Sequence, residues 1–200
     1  MTIAACYLSV GGVVFGADST TTMLVQGFGP DPEGGQHHYT FAQKIFEIGE
    51  QSTLGITMWG LGNLNQTSYR TLIAKFSDNL RANPAGSMDE VAQRWSSFFW
   101  DAYSKEYAPF LDTVKSLLAK SPRTVDEDGL LQYLTDTLSG GFCLGGHLPQ
   151  DRAPRAFEVV YNPQSTSAAV AQPLQVGTTR FWGWPSLMER LLFGIDGFAY

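Results

Sequence analysis

Along the first sixty residues, apolar positions gather in short strand-like runs. Residues 2–10 and 13–18 are short runs rich in Ala, Val, Ile, Tyr and Phe, parted by Gly11-Gly12. Two strand-like runs around a Gly-Gly pair predict a β-hairpin. From 24 to 40 the strand pattern stops, and Gly27, Gly29, Pro30, Pro32, Gly34 and Gly35 predict a loop. It restarts at Lys44-Ile45-Phe46-Glu47-Ile48, turns at 49–52 and runs on from Thr53 to Met58, a second hairpin.

The spacing then turns helical. Leu64, Leu72, Ile73, Phe76 and Leu80 predict a helix over 64–80, stopped by Asn83-Pro84-Ala85-Gly86. Ser87-Met88-Asp89-Glu90 has the form of a capping box. Behind it Met88, Val91, Trp95, Phe98 and Ala102 step by threes and fours. Residues 110–120 and 126–138 predict two further helices, the second opened by Thr124 and Glu127 in capping-box register. Strands return at 139–146, and at 156–161 paired with 168–176 across residues 162–165. A last helix begins near Pro185-Ser186 and runs through Leu187, Arg190 and Leu191. Strands and helices in segregated runs argue for α+β layers rather than alternating βαβ units.

Two hundred residues suit a single domain, and a chain of this size buries roughly 70% of the surface its unfolded form exposes. Five Trp, eight Tyr and thirteen Phe exceed what one core needs, so part of the aromatic surplus is expected at an interface. A net charge of −6 without a Lys/Arg cluster argues against nucleic acid and against an anionic membrane surface as partners. No stretch approaches the ~20 apolar residues of a membrane span, and no basic-then-apolar leader opens the sequence. Cys6 and Cys143 fall in apolar strand-like segments, which reads as buried free thiols in a reducing compartment. A cytoplasmic protein of bacterial style is expected.

Most of the chemistry the sequence might hold is poorly signalled. His37 and His38 are adjacent rather than spaced along one face, and His147 has no second ligand near it, so neither metal nor cofactor is expected. The glycine-rich stretches lack a Gly-Lys-Ser/Thr ending, and no Gly-x-Ser-x-Gly elbow occurs. Cys143 and His147 read better as a structural thiol and a turn residue than as a dyad. The opening is different. Removal of the initiator Met is efficient when the next residue is small, and would leave Thr2 with a free α-amine beside its own hydroxyl. An α-amine has a pKa of about 7.7–8.0 and can act as a base near neutrality. A hydroxyl with such a base is an activated nucleophile.

From Thr2 onward the chain resembles the proteasome β-subunit-like N-terminal-nucleophile hydrolases, bacterial forms included. A strand-initial Thr is followed by a Gly-containing turn and by Gly12-Val13-Val14-Phe15-Gly16-Ala17-Asp18-Ser19, which sets Asp18 at the family's spacing from the nucleophile. Lys44 before Ile45-Phe46-Glu47-Ile48 is similar to the family's Lys-strand element. The segment from Leu54 to Gly62 is similar to its strand entering a helix, and Val176-Gly177-Thr178-Thr179 to its Val-Gly-Ser-Gly element.

The resemblance implies a four-layer αββα sandwich of two antiparallel sheets flanked by helices, as one domain over 1–200. It implies a threonine-type peptidase or amidohydrolase without cofactor, acting on peptide or protein within a homo-oligomeric ring. An ATP-dependent unfoldase is a candidate partner. Thr2 would attack the amide carbonyl, its α-amine taking the proton. Lys44, held charged by Asp18, would lower the hydroxyl's pKa. The Gly60 amide would form the oxyanion hole, and Thr178 would orient the amine. Thr22 and Gly62 would pair with the substrate backbone as a strand, and Met58 would line an apolar pocket.

The pattern departs from the family in places. Thr20 stands where an Arg is usual, Trp59 where a small residue is usual, and the segments 24–40 and 105–138 are longer. The family's later Asp-x-x-Ser element has no match, Ile195-Asp196-Gly197-Phe198 included, so the sequence is expected to be either a fragment or a shortened fold. Two alternatives stand beside the peptidase: a hydrolase of non-peptide amides with the same chemistry, and a non-catalytic structural subunit that keeps Met1.

Overall fold

The computed structural model describes residues 3–25, 35–39, 42–49, 53–64 and 67–193. The first hairpin joins β1 (Ile3–Ser9) to β2 (Gly12–Ala17). Ser9 pairs with Gly12, so the two-residue turn is Val10-Gly11, one position earlier than the Gly-Gly pair suggested. The Ser9 hydroxyl fixes it, accepting from the Gly11 amide and donating to the Gly12 carbonyl. Alternation along β1 sends Ala4, Cys6 and Leu8 inward and leaves Tyr7 exposed. Strand β3 (Thr21–Val25) pairs with β4 (Gly35–Tyr39). The loop expected over 24–40 is therefore, at both ends of that range, a hairpin. The glycines and prolines masked the β-branched run that begins at Thr20.

Strands β5 (Ile45–Glu47), β6 (Leu54–Gly60), β7 (Gly140–Gly146), β8 (Arg155–Tyr161) and β9 (Gln172–Pro173) form a five-stranded antiparallel sheet in that spatial order. The strand expected over 168–176 is reduced to the two residues of β9. A strand absent from the sequence reading, β10 (Thr179–Gly183), joins β1 on the side away from β2.

The three-stranded sheet packs face to face on the five-stranded one through small side chains. Ala4, Cys6, Leu8, Cys143, Ala156 and Trp182 are buried together between them. Approach is close: a Cβ on Gly55 would lie 2.9 Å from the Phe15 ring, and one on Gly145 2.9 Å from Val13.

The other face of the five-stranded sheet carries the first two helices. Helix α1 (Tyr69–Ala82) starts later than its apolar spacing implied, because Leu64 is buried in an isolated bridge with Thr67 and Ser68 supplies the N-cap. Helix α2 (Met88–Glu106) is capped by Ser87, whose hydroxyl accepts from the Glu90 amide. The Glu90 carboxylate reaches past the cap to the Gly86 amide, so only half of the expected box forms. Helices α3 (Ala108–Leu118) and α4 (Val125–Leu138) make a hairpin around Val114, Leu117, Leu131, Leu134 and Leu138. The box of Thr124 and Glu127 is complete. Helix α5 (Pro185–Phe193) follows β10.

Among the described residues, the aromatics of α2 pack on the sheet. Trp95 and Phe99 of α2 are buried against Phe76, Phe142 and Tyr161, while Phe98 and Trp100 pack half-buried on the same core. A fully buried Phe contributes roughly 1.5–3 kcal/mol, so the buried rings stabilise the helix–sheet layer.

Candidate functional site

The site is built where the end of β2 meets the residue before β5. Asp18 closes the β1–β2 ladder: its amide donates to the Ile3 carbonyl at 3.0 Å, and its Oδ1 accepts from the Ile3 amide at 2.7 Å. Its Oδ2 accepts from the Thr20 amide at 3.1 Å, folding the chain back toward β3. Lys44, from the other sheet, lays its Nζ 2.7 Å from the same Oδ1 and also donates to the Thr20 carbonyl. The lysine side chain is only 5% exposed, the aspartate 27%.

Burial alone would raise the Asp18 pKa. The Lys44 ammonium and the amides of Ile3 and Thr20 outweigh it and hold the carboxyl below its ordinary value. The result is a charged pair with one carboxylate oxygen shared between an ammonium and the amide of Ile3. That amide nitrogen is the one through which Ile3 is joined to Thr2. Thr2 itself lies outside the described residues.

Gly60 ends β6 at φ +78°. A Cβ there would lie 2.6 Å from both Gly140 Cα and the Ser139 carbonyl oxygen, so the turn requires glycine on conformational and steric grounds. The next residues are pinned. Leu61 donates its amide to Ser139 at 2.9 Å, and its carbonyl accepts from the Tyr69 hydroxyl at 2.6 Å. The Asn63 carbonyl accepts from Tyr107 at 3.0 Å. Gly62 sits in this turn with nothing within 4 Å of where its Cβ would be.

Met58 is half-buried and packs on the helix-side core. The Ile45–Thr57 pairing carries Lys44 toward Met58 at the end of the sheet. Thr22 lies in β3, paired with His38, just past the Thr20 carbonyl that Lys44 holds. Its side chain, like those of His37 and His38, is outside the description.

Thr178 is not brought to this place. It lies opposite Leu8, to whose amide its carbonyl bonds, and its own hydroxyl turns to the Gln175 carbonyl. Leu8 and Ile3 are five positions apart on β1, roughly 17 Å at ~3.4 Å per residue, so the expectation that Thr178 orients the Thr2 amine is corrected. The antiparallel register puts Gly183 opposite Ile3 instead, followed by Trp184 and the start of α5. The signal for this junction was in the sequence: an aromatic strand, Gly183, then Pro185 in the first helical position.

Cys143 faces the inter-sheet layer with Cys6, and burial first, then Cys6 and Glu158, pushes its thiol well up. His147 is exposed and bonds the Asp151 carbonyl, so the two make no dyad. Among the described residues no group of three His, Cys, Asp or Glu could hold a metal ion. No helix among them is long and apolar enough to cross a membrane. Residues 195–198 lie outside the description. A cleft of about 700 Å³ opens at the opposite end of the sandwich, by the β1–β2 turn, and includes none of the site residues.

No protein-family model and no curated protein matches the chain.

Proposed function

We propose that this chain is an amide hydrolase whose nucleophile is the hydroxyl of Thr2, with Thr2 as the first residue of the working protein. The observation that supports it most is the shared oxygen of Asp18: it binds the amide leading to residue 2 and the Lys44 ammonium at once, both at 2.7 Å. A buried cation next to a hydroxyl favours its alkoxide form, and a carboxylate this well satisfied keeps the cation in place.

In this reading Thr2 Oγ adds to the amide carbonyl while the α-amine takes its proton. The tetrahedral oxyanion is met by the Gly60 amide, a contact whose loss lowers kcat by about 10²–10³-fold in comparable sites. The C–N bond breaks, the leaving amine takes the proton, and water hydrolyses the ester to regenerate Thr2. The positions of Thr22 and Gly62, on β3 and on the Gly60 turn, suit strand-like pairing of an extended peptide. Met58, half-buried near the end of β6, is the apolar residue this reading assigns to the substrate pocket. The fold belonging to this reading is the four-layer αββα sandwich, with α5 adding a layer to the helix–sheet–sheet arrangement. A cytoplasmic ring of identical subunits, with or without an ATP-dependent unfoldase, belongs to it as well, and native mass spectrometry tests the ring.

Intact-mass analysis after exposure to a β-lactone tests the chemistry. The expected result is a chain lacking Met1 and carrying one acyl adduct, mapped to Thr2 and absent from Thr2→Ala. A chain that retains Met1, or an adduct unaffected by Thr2→Ala, removes the proposal.

A further inference from the structure

Two indoles lie between the strand that leads to Thr2 and the Gly60 turn. Trp59, beside Gly60, stacks on Trp182 with ring centroids 4.4 Å apart and planes 8° from parallel. Trp182 is the β10 residue opposite Ala4 of β1, and its Nε1–H donates to the Glu158 carboxylate. Arg180 reaches the same carboxylate at 3.4 Å. On its other side the Trp59 ring is seated on bare backbone: a Cβ on Gly141 would come within 2.4 Å of it. Trp59 is thus clamped between Gly141 and an indole held by Glu158.

We infer that the Trp59–Trp182 stack is a positioning device that sets the Gly60 amide relative to β1. The inference rests on the Thr2 reading above. Contact runs without a break from Ala4 through Trp182 and Trp59 to Gly60, joining the two sheets at the end where Asp18 and Lys44 meet. The indoles touch no reacting atom; they act through the turn. Gly60 is held at φ +78° against Ser139 and Gly140 from one side, and the Trp59 wedge fixes the residue before it from the other. Placement errors of about 1 Å at a reacting group lower rates by about 10²-fold, so a loosened stack acts on the bond-making step more than on binding.

The test uses β-lactone acylation of Thr2, followed by intact mass, together with amide hydrogen exchange at Leu61. Trp182→Ala and Gly141→Ala, the second displacing Trp59 without removing either ring, are expected to lower the maximal acylation rate by about 10- to 100-fold, with half-saturation changed by less than about twofold. Glu158→Gln, whose amide oxygen still accepts from Trp182, keeps the wild-type rate; Glu158→Leu does not. Leu61 exchange accelerates in the slow variants while the β6–β7 ladder stays protected. Should Gly141→Ala fail to fold, Glu158→Leu against Glu158→Gln decides. The positioning role is overturned if Trp182→Ala is folded and leaves both acylation and Leu61 exchange at wild-type rates. A wild-type chain that is not acylated overturns the Thr2 reading instead, and Leu61 exchange still decides whether the stack holds the turn.

Discussion

Lys44 crosses from the five-stranded sheet to set its Nζ 2.7 Å from Asp18 Oδ1, and the two partners are unequally buried, 5% and 27% exposed. The pair should therefore be asymmetric toward truncation. Asp18→Ala removes the carboxylate 2.7 Å from a buried ammonium, and breaking a buried pair in this way costs about 3–5 kcal/mol. Lys44→Met leaves a partly solvated carboxylate that still accepts from the Ile3 and Thr20 amides, and about 1–2 kcal/mol is expected. Urea unfolding of both variants measures the order; equal losses would contradict it.

The same carboxylate makes a pH prediction. Its folded pKa lies below the ordinary 3.8, so the unfolded chain binds more protons in the window between the two values. The stability Asp18 contributes is complete above about pH 4 and is lost as pH falls through the folded pKa. Glu90 and Glu127 shift in the same direction, so the wild-type curve alone does not isolate Asp18. The difference between wild type and Asp18→Asn does. That difference should shrink on acidification; a constant one would mean that the carboxyl is not held down in the fold.

What the sequence made legible was local. Thr124 with Glu127, the stepping of α2, and the strand pairings β1–β2 and β5–β6 are each set within a few residues, and each formed, the first pairing with its turn one position before Gly11-Gly12. Asp18 and Lys44 were brought together by family spacing, not by periodicity, which treats each as an ordinary strand-end charge. Pairing between distant segments was opaque. Nothing local says that Thr179–Gly183 joins β1, since that register depends on Trp182 finding Glu158 and Trp59 across the inter-sheet layer. The role expected of Thr178 comes from its likeness to a Val-Gly-Ser-Gly element, which carries no information on that pairing.

Gly60 and Gly62 differ by two positions and should differ widely in tolerance. Alanine at 60 meets a left-handed backbone that disfavours a Cβ by about 1–2 kcal/mol, and atoms at 2.6 Å on Gly140 and Ser139 add to that. Gly62→Ala enters open space and should stay within about 0.5 kcal/mol of wild type. Thermal unfolding of the two variants side by side checks the contrast. A Gly60→Ala protein as stable as Gly62→Ala would place the Gly60 turn elsewhere.

Cys6 and Cys143 report on closure of the inter-sheet layer. Both are buried, at 1% and 0% exposure, and the Cys143 thiol is pushed well above its ordinary value by burial and by its neighbours. A thiol kept protonated is a poor nucleophile even where a reagent reaches it. Alkylation at mildly alkaline pH should therefore proceed only through opening of the layer, with free energies toward the global end of the range. The single-thiol variants Cys6→Ala and Cys143→Ala leave one reporter on each sheet. Because one opening event exposes both, the two should be labelled at similar slow rates, and both should react at once in guanidinium. If either thiol reacts in the folded protein as fast as in the unfolded chain, the sheets are not packed as described, and the Trp59–Trp182 clamp that depends on the same layer loses its footing.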